Sequence, residues 1–134
     1  MHVCVMFSPQ TGPPALDQSS VPLKVTQYHF TGWPDHGVPQ NGLTVINFIK
    51  RVRTAHQYSD SQPLLVHCSA GVGRTGAFIM LDSMLQRMQA EQNLNIYEFF
   101  KQLRAQRVFM VQTQVLCHKK LSTLACTCIN KMLF

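Results

Sequence analysis

The sequence predicts a mixed α/β fold, on three observations. The apolar run Leu64 to His67 has the length of a buried strand and passes through a loop of small residues into a helical pattern from Thr75 to Gln89. A second strand-like stretch, Leu23 to Phe30, precedes a Gly/Pro loop. Between them, Gly42 to Gln57 places Val45, Phe48, Ile49 and Val52 on one helical face, with Lys50, Arg51 and Arg53 off it.

Taken in order, residues 1–22 read as a flexible leader, because Ser8 to Pro22 holds four prolines, three serines and a glycine with hardly any apolar periodicity. The folded domain is expected over 23–134. Its first strand ends in "TGWPDHGVPQN", Thr31 to Asn41, a loop that carries the only tryptophan. The amphipathic helix follows, broken at Ser59 to Pro63, and then the strand, loop and helix unit with Phe78, Ile79, Leu81, Met84, Leu85 and Met88 marking the apolar positions. A further helix is expected from about Asn95 to Gln106, a loop at Val108 to Thr113, and a last helix with Leu121, Leu124, Ala125, Cys128 and Met132 on one face.

A chain of 134 residues is the size of one modest domain, and 46% apolar with 13% charged residues is ordinary globular composition. The net charge of +6 favours anionic partners without choosing among them. Five cysteines without a framework spacing, and no secretory leader, point to a reducing, cytoplasmic setting. The apolar stretch Leu121 to Ile129 is too short to span a bilayer, so no membrane segment is expected in this chain.

The stretch "LLVHCSAGVGRTG", Leu64 to Gly76, carries the chemistry. A small-residue loop between a strand and a helix N-terminus aims several backbone N–H groups at one point, and the helix dipole adds positive potential there. Ser69, Ala70, Gly71, Val72 and Gly73 thus form an anion cradle. Arg74 adds a planar, permanently charged fork that matches two phosphate oxygens. At the start of the cradle, Cys68 sits where thiolate is favoured over thiol, which makes it a nucleophile. Thr75 can donate a hydroxyl hydrogen bond to that sulfur, and His67 can orient the loop through backbone contacts. Taken singly, a buried Cys, a Gly-rich turn and an Arg are each commonplace; Cys, five spacers, Arg and Thr between a strand and a helix form a compound signal.

"VHCSAGVGRTG" resembles, residue for residue, the signature of the classical, tyrosine-specific protein tyrosine phosphatases, and "WPDHGVP" is similar to their mobile acid loop. "MVQT", Met110 to Thr113, resembles the start of that family's glutamine loop, so the resemblance spans about Val25 to Thr113. It implies a partial phosphatase fold, in which the signature loop leads from central strands into a helix and is flanked by C-terminal helices. It implies that Cys68 attacks phosphorus, Arg74 clamps the phosphate, Asp35 is general acid and then base, Gln112 positions the hydrolytic water, and Trp33 is the hinge of a closing loop. Expulsion of a phenolate needs a proton, and Asp35 is the only acid so placed: Asp17 falls in the leader, Asp60 in a turn, and Asp82, Glu91 and Glu98 on helix faces expected to be solvated. No cofactor or metal is implied. Cys126, Cys128 and His118 invite a zinc reading, but their spacing and helical pattern favour core cysteines.

By the same resemblance the chain holds roughly the C-terminal half of such a domain. The "KNRY"-like tyrosine-recognition loop, several strands and an acid that braces the signature arginine are absent from Met1 to Leu23. After "MVQTQ" the pattern departs, with Leu116 where the family has a second glutamine. Two functions follow as expectations: a phosphatase acting on phosphotyrosine in proteins through a cysteinyl phosphate, or a truncated, weak or inactive phosphate-binding fragment that associates with a full-length relative. A third reading takes Cys68 as a redox sensor. The expected partners are phosphotyrosine-containing proteins rather than nucleic acid, and a receptor with an intracellular catalytic domain remains open as the parent.

Overall fold

The computed structural model describes residues 2–7, 24–34, 37–56, 64–91 and 95–112. Its elements, in chain order, are β1 (His2–Phe7), β2 (Lys24–His29), α1 (Gly42–His56), β3 (Leu64–His67), α2 (Gly73–Glu91) and α3 (Ile96–Gln106). This is the expected α/β architecture. Among the described residues no helix is long and apolar enough to cross a membrane.

One element corrects the reading of 1–22 as a flexible leader. His2–Phe7 is the central strand of a three-stranded sheet ordered β2-β1-β3, antiparallel to both neighbours. Its register sets His2 opposite both His29 and His67, and Val5 opposite Thr26 and Leu64. The physical reason is edge satisfaction: β2 and β3 each carry a row of backbone donors and acceptors, and a β-branched and apolar six-residue run can pair with both. Residues 8–22 lie outside the described residues, as do 113–134, where a last helix was expected.

The other elements form where periodicity puts them. Helix α1 buries Val45, Ile46, Ile49 and Val52 on one face, and Asn41 opens it by accepting the Leu43 N–H at 3.0 Å. Helix α2 packs against α1, α3 and β3, so apolar residues surround it: Ala77, Phe78, Met80, Leu81 and Met84 are all buried. The Phe48 ring lies 5.2 Å from Phe30 and 6.2 Å, edge on, from Phe78, which ties the end of β2 to both helices. Asn95 caps α3 by accepting the Glu98 N–H at 3.0 Å, and Leu103 is its buried anchor.

Asp82 departs from the solvated face expected of it, and Arg53 from its place off the packing face. Asp82 is 6% exposed. Its carboxylate takes both prongs of the Arg53 guanidinium, with Nε donating to Oδ1 at 2.6 Å and Nη2 to Oδ2. Gln86 adds a third donor at 3.2 Å. A buried carboxylate must be paired, and the helix crossing brings a guanidinium within reach. Replacing Arg53 by methionine leaves Asp82 buried with only the amide, and is expected to destabilise the fold by about 2 kcal/mol. Urea unfolding measures it; an unchanged midpoint would show that the pair carries no net stability.

Candidate active site

The strand β3 delivers Cys68 to the top of α2, and the five residues between Cys68 and Arg74 curl around its sulfur. Gly71 makes the curl possible: its φ of 68° lies in the left-handed region, where a side chain would be strained. Ser69 and Ala70 face solvent, Val72, Gly73 and Arg74 are half-buried, and Thr75 and Gly76 are buried. The Thr75 hydroxyl donates to Cys68 Sγ at 3.2 Å. His67 Nδ1 stands 3.4 Å from the Cys68 carbonyl oxygen, at the strand end of the loop.

Cys68 is a free thiol, half-buried. Burial by itself pushes its pKa up. The Thr75 hydroxyl and the backbone N–H groups of Thr75, Gly71 and Val72 outweigh that by hydrogen-bonding the anion, and bring it from an ordinary 9.0 down to about 7. Near neutrality a large fraction is therefore thiolate. The same N–H groups, in the first turn of α2 and the loop before it, converge on the sulfur, and Arg74 stands in that first turn.

A second loop, 107–112, packs on the back of the cradle. The Val72 carbonyl accepts the Gly76 N–H at 2.9 Å and the Val111 N–H at 3.2 Å, so one oxygen joins the two loops. Val111 is fully buried with φ of 57°, a conformation that costs a β-branched residue roughly 1–3 kcal/mol and so must be held by its surroundings. Gly76 is where the loops touch: a Cβ there would lie 2.5 Å from Val111 N and 3.1 Å from the Met110 carbonyl carbon. Gln112 follows and rests beside Gly73, where an added Cβ would meet its Oε1 at 3.6 Å.

Alanine at position 76 would gain about 1 kcal/mol of helix propensity, but the overpacking against backbone costs about 1–3 kcal/mol and the loop must retreat. Gly76→Ala is therefore expected to lower the melting temperature and to displace Gln112. Thermal unfolding with a parallel rate assay checks this; a more stable variant would mean that the two loops do not meet as described.

The expected site residues thus fall into two groups. Cys68, Ser69, Ala70, Gly71, Val72, Gly73, Arg74, Thr75, His67 and Gln112 come together around the cradle. On the acid loop, Trp33 is 6% exposed and its Nε1–H donates to the Gly37 carbonyl at 3.3 Å, holding together the two ends of a short stretch of chain. Asp35 and His36, within that stretch, lie outside the described residues. Two residues were missed. Arg104 donates to the Met110 and Val111 carbonyls at 3.0 and 3.1 Å, and Arg107 reaches the Ala70 carbonyl at 3.5 Å from outside the cradle. Their signal was a pair of arginines one helical turn apart immediately before the "MVQT" loop. Among the described residues no cluster of three His, Cys, Asp or Glu side chains could hold a metal ion, and Cys126, Cys128 and His118 lie outside them.

A half-buried cysteine among amide donors, at the N-terminus of a helix that carries an arginine, is an arrangement suited to an anion. The family model for protein-tyrosine phosphatase matches residues 14–119, and the chain belongs to that family. It is 52% identical over 90 residues to receptor-type tyrosine-protein phosphatase zeta of Homo sapiens, which covers 67% of this chain and 4% of that protein. It is 50% identical over 90 residues to tyrosine-protein phosphatase 99A of Drosophila melanogaster, covering 67% of this chain and 7% of the relative. With receptor-type tyrosine-protein phosphatase epsilon of Mus musculus the identity is 46% over 99 residues, 74% of this chain and 14% of the relative. The chain thus spans a small part of the length of the relatives it matches.

Proposed function

We propose that this chain hydrolyses phosphotyrosine in proteins through a cysteinyl phosphate. The observation that carries it is the Thr75 hydroxyl at 3.2 Å from a Cys68 sulfur whose pKa is drawn down to about 7 inside an anion cradle. In the first step the Cys68 thiolate attacks phosphorus, the bond from phosphorus to the tyrosyl oxygen breaks, and Asp35 gives that oxygen its proton. The cradle N–H groups and the Arg74 fork hold the three equatorial oxygens as charge redistributes. In the second step Gln112 orients a water, Asp35 takes its proton as the water oxygen bonds to phosphorus, and the sulfur to phosphorus bond breaks, returning the Cys68 thiolate and releasing inorganic phosphate. Trp33 is the pivot about which the Asp35 loop closes. We place the activity in the cytoplasm, where a reducing medium keeps Cys68 unoxidised.

The thiolate is tested by alkylation of Cys68 with iodoacetamide, read by mass spectrometry of its peptide against pH. The rate is expected to rise through a midpoint near 7 and to fall when inorganic phosphate fills the cradle. Thr75→Val removes one donor to the anion, so its midpoint moves upward. A wild-type midpoint at the ordinary 9.0 would contradict the assignment.

A further inference from the structure

Arg104 stands outside the cradle, on the last full turn of α3, where a solvated arginine would be unremarkable. Its guanidinium is committed instead. Nε donates to the Met110 carbonyl at 3.0 Å and Nη2 to the Val111 carbonyl at 3.1 Å, two successive oxygens of the loop that ends in Gln112. Its Cζ lies 4.4 Å over the centre of the Phe100 ring, one turn back on the same helix, which restrains its direction.

The loop needs such a brace. Phe109 and Val111 both adopt left-handed φ, 63° and 57°, and Val111 is β-branched. With Val111 left-handed, its N–H reaches the Val72 carbonyl of the cradle at 3.2 Å, and the next residue, Gln112, comes to rest beside Gly73. Relaxing Val111 to ordinary dihedrals would redirect both. The turn backs directly onto Gly76, and its Met110 and Val111 carbonyls are the ones that Arg104 holds.

We propose that Arg104 is a positioning residue for Gln112: its two-pronged hold on the Met110 and Val111 carbonyls maintains the left-handed turn that sets the Gln112 amide against the cradle. In this role Arg104 acts through the backbone, by way of the two carbonyls it holds. Its effect on the reaction rests on the proposed phosphatase activity and falls on the second step, breakdown of the cysteinyl phosphate, where Gln112 orients water. Cys68 and the cradle N–H groups that serve the first step are anchored by β3 and α2 at either end, and meet the Gln112 loop through the bond from the Val111 N–H to the Val72 carbonyl. A lysine, with one point charge in place of a fork, cannot hold both carbonyls in the same geometry.

The test has two arms on the full chain. In the first, the side-chain amide signal of Gln112 is followed by nuclear magnetic resonance in glutamine-labelled protein and assigned by its loss in Gln112→Ala. Arg104→Lys is expected to shift and broaden that signal at unchanged melting temperature; an unchanged signal, or a change seen only with general loosening of the fold in both Arg104→Lys and Arg104→Gln, overturns the proposal. The second arm is stopped-flow hydrolysis of p-nitrophenyl phosphate. Arg104→Lys is expected to keep the rate of the initial p-nitrophenolate burst while steady turnover falls about tenfold, the size of loss a small misplacement gives. Equal slowing of both phases overturns the proposal. A wild-type chain that releases no p-nitrophenolate at all overturns the phosphatase reading instead, while the amide signal still decides the role of Arg104.

Discussion

Cys68→Ser is expected to abolish turnover of a phosphotyrosine peptide, by on the order of 10⁴-fold or more, while leaving phosphate binding largely in place. The asymmetry follows from where the parts lie. The cradle is built from backbone N–H groups at Gly71, Val72 and Thr75 and from Arg74, none of which depends on the sulfur. In the proposed mechanism the nucleophile is the sulfur alone, and a serine hydroxyl cannot be drawn to its anion near neutral pH by the donors that bring the thiol to about 7. Isothermal titration with the peptide and a phosphate-release assay separate the two quantities. Retained turnover in the serine variant would remove Cys68 from the chemistry.

Arg74→Lys is expected to weaken binding and turnover together, with turnover reduced by roughly 10²-fold. Arg74 sits in the first turn of α2, half-buried, and in the proposed mechanism its fork serves the cradle at the positive end of the helix dipole. A lysine keeps the charge but offers no pair of parallel donors, and two phosphate oxygens lose a rigid partner. Measured kcat and KM for the peptide decide it. A lysine variant with wild-type constants would reduce the role of Arg74 to charge alone.

Much of the site was legible in the sequence because it is local. Cys68 and Thr75 are seven residues apart, and the strand, loop and helix between them follow from an apolar run, small residues and a 3.6-residue period. Helices α1, α2 and α3 were legible for the same reason, to within two residues at most ends. The central strand was not. His2–Phe7 is only six residues long, and the proline and serine composition immediately after it drew it into a leader; its role appears only when β2 and β3 are seen to need a partner. The pairing of Arg53 with Asp82 was hidden because it joins two helices 29 residues apart, and a helix pattern says which residues are charged rather than which of them face one another. Gln112 could be assigned from resemblance alone: its nearness to Gly73 depends on a left-handed valine, a conformation that residue type argues against. Arg104 and Arg107 were overlooked for a related reason, since a charged helix end next to a loop ordinarily faces water.

Phosphate release from a phosphotyrosine peptide by the purified full chain under reducing conditions, with Cys68→Ser as the matched control, decides whether these residues form a working thiolate-dependent phosphatase site. Release by the wild-type chain that disappears in the variant is the expected result. Equal release from both, or none from the wild type, would contradict it.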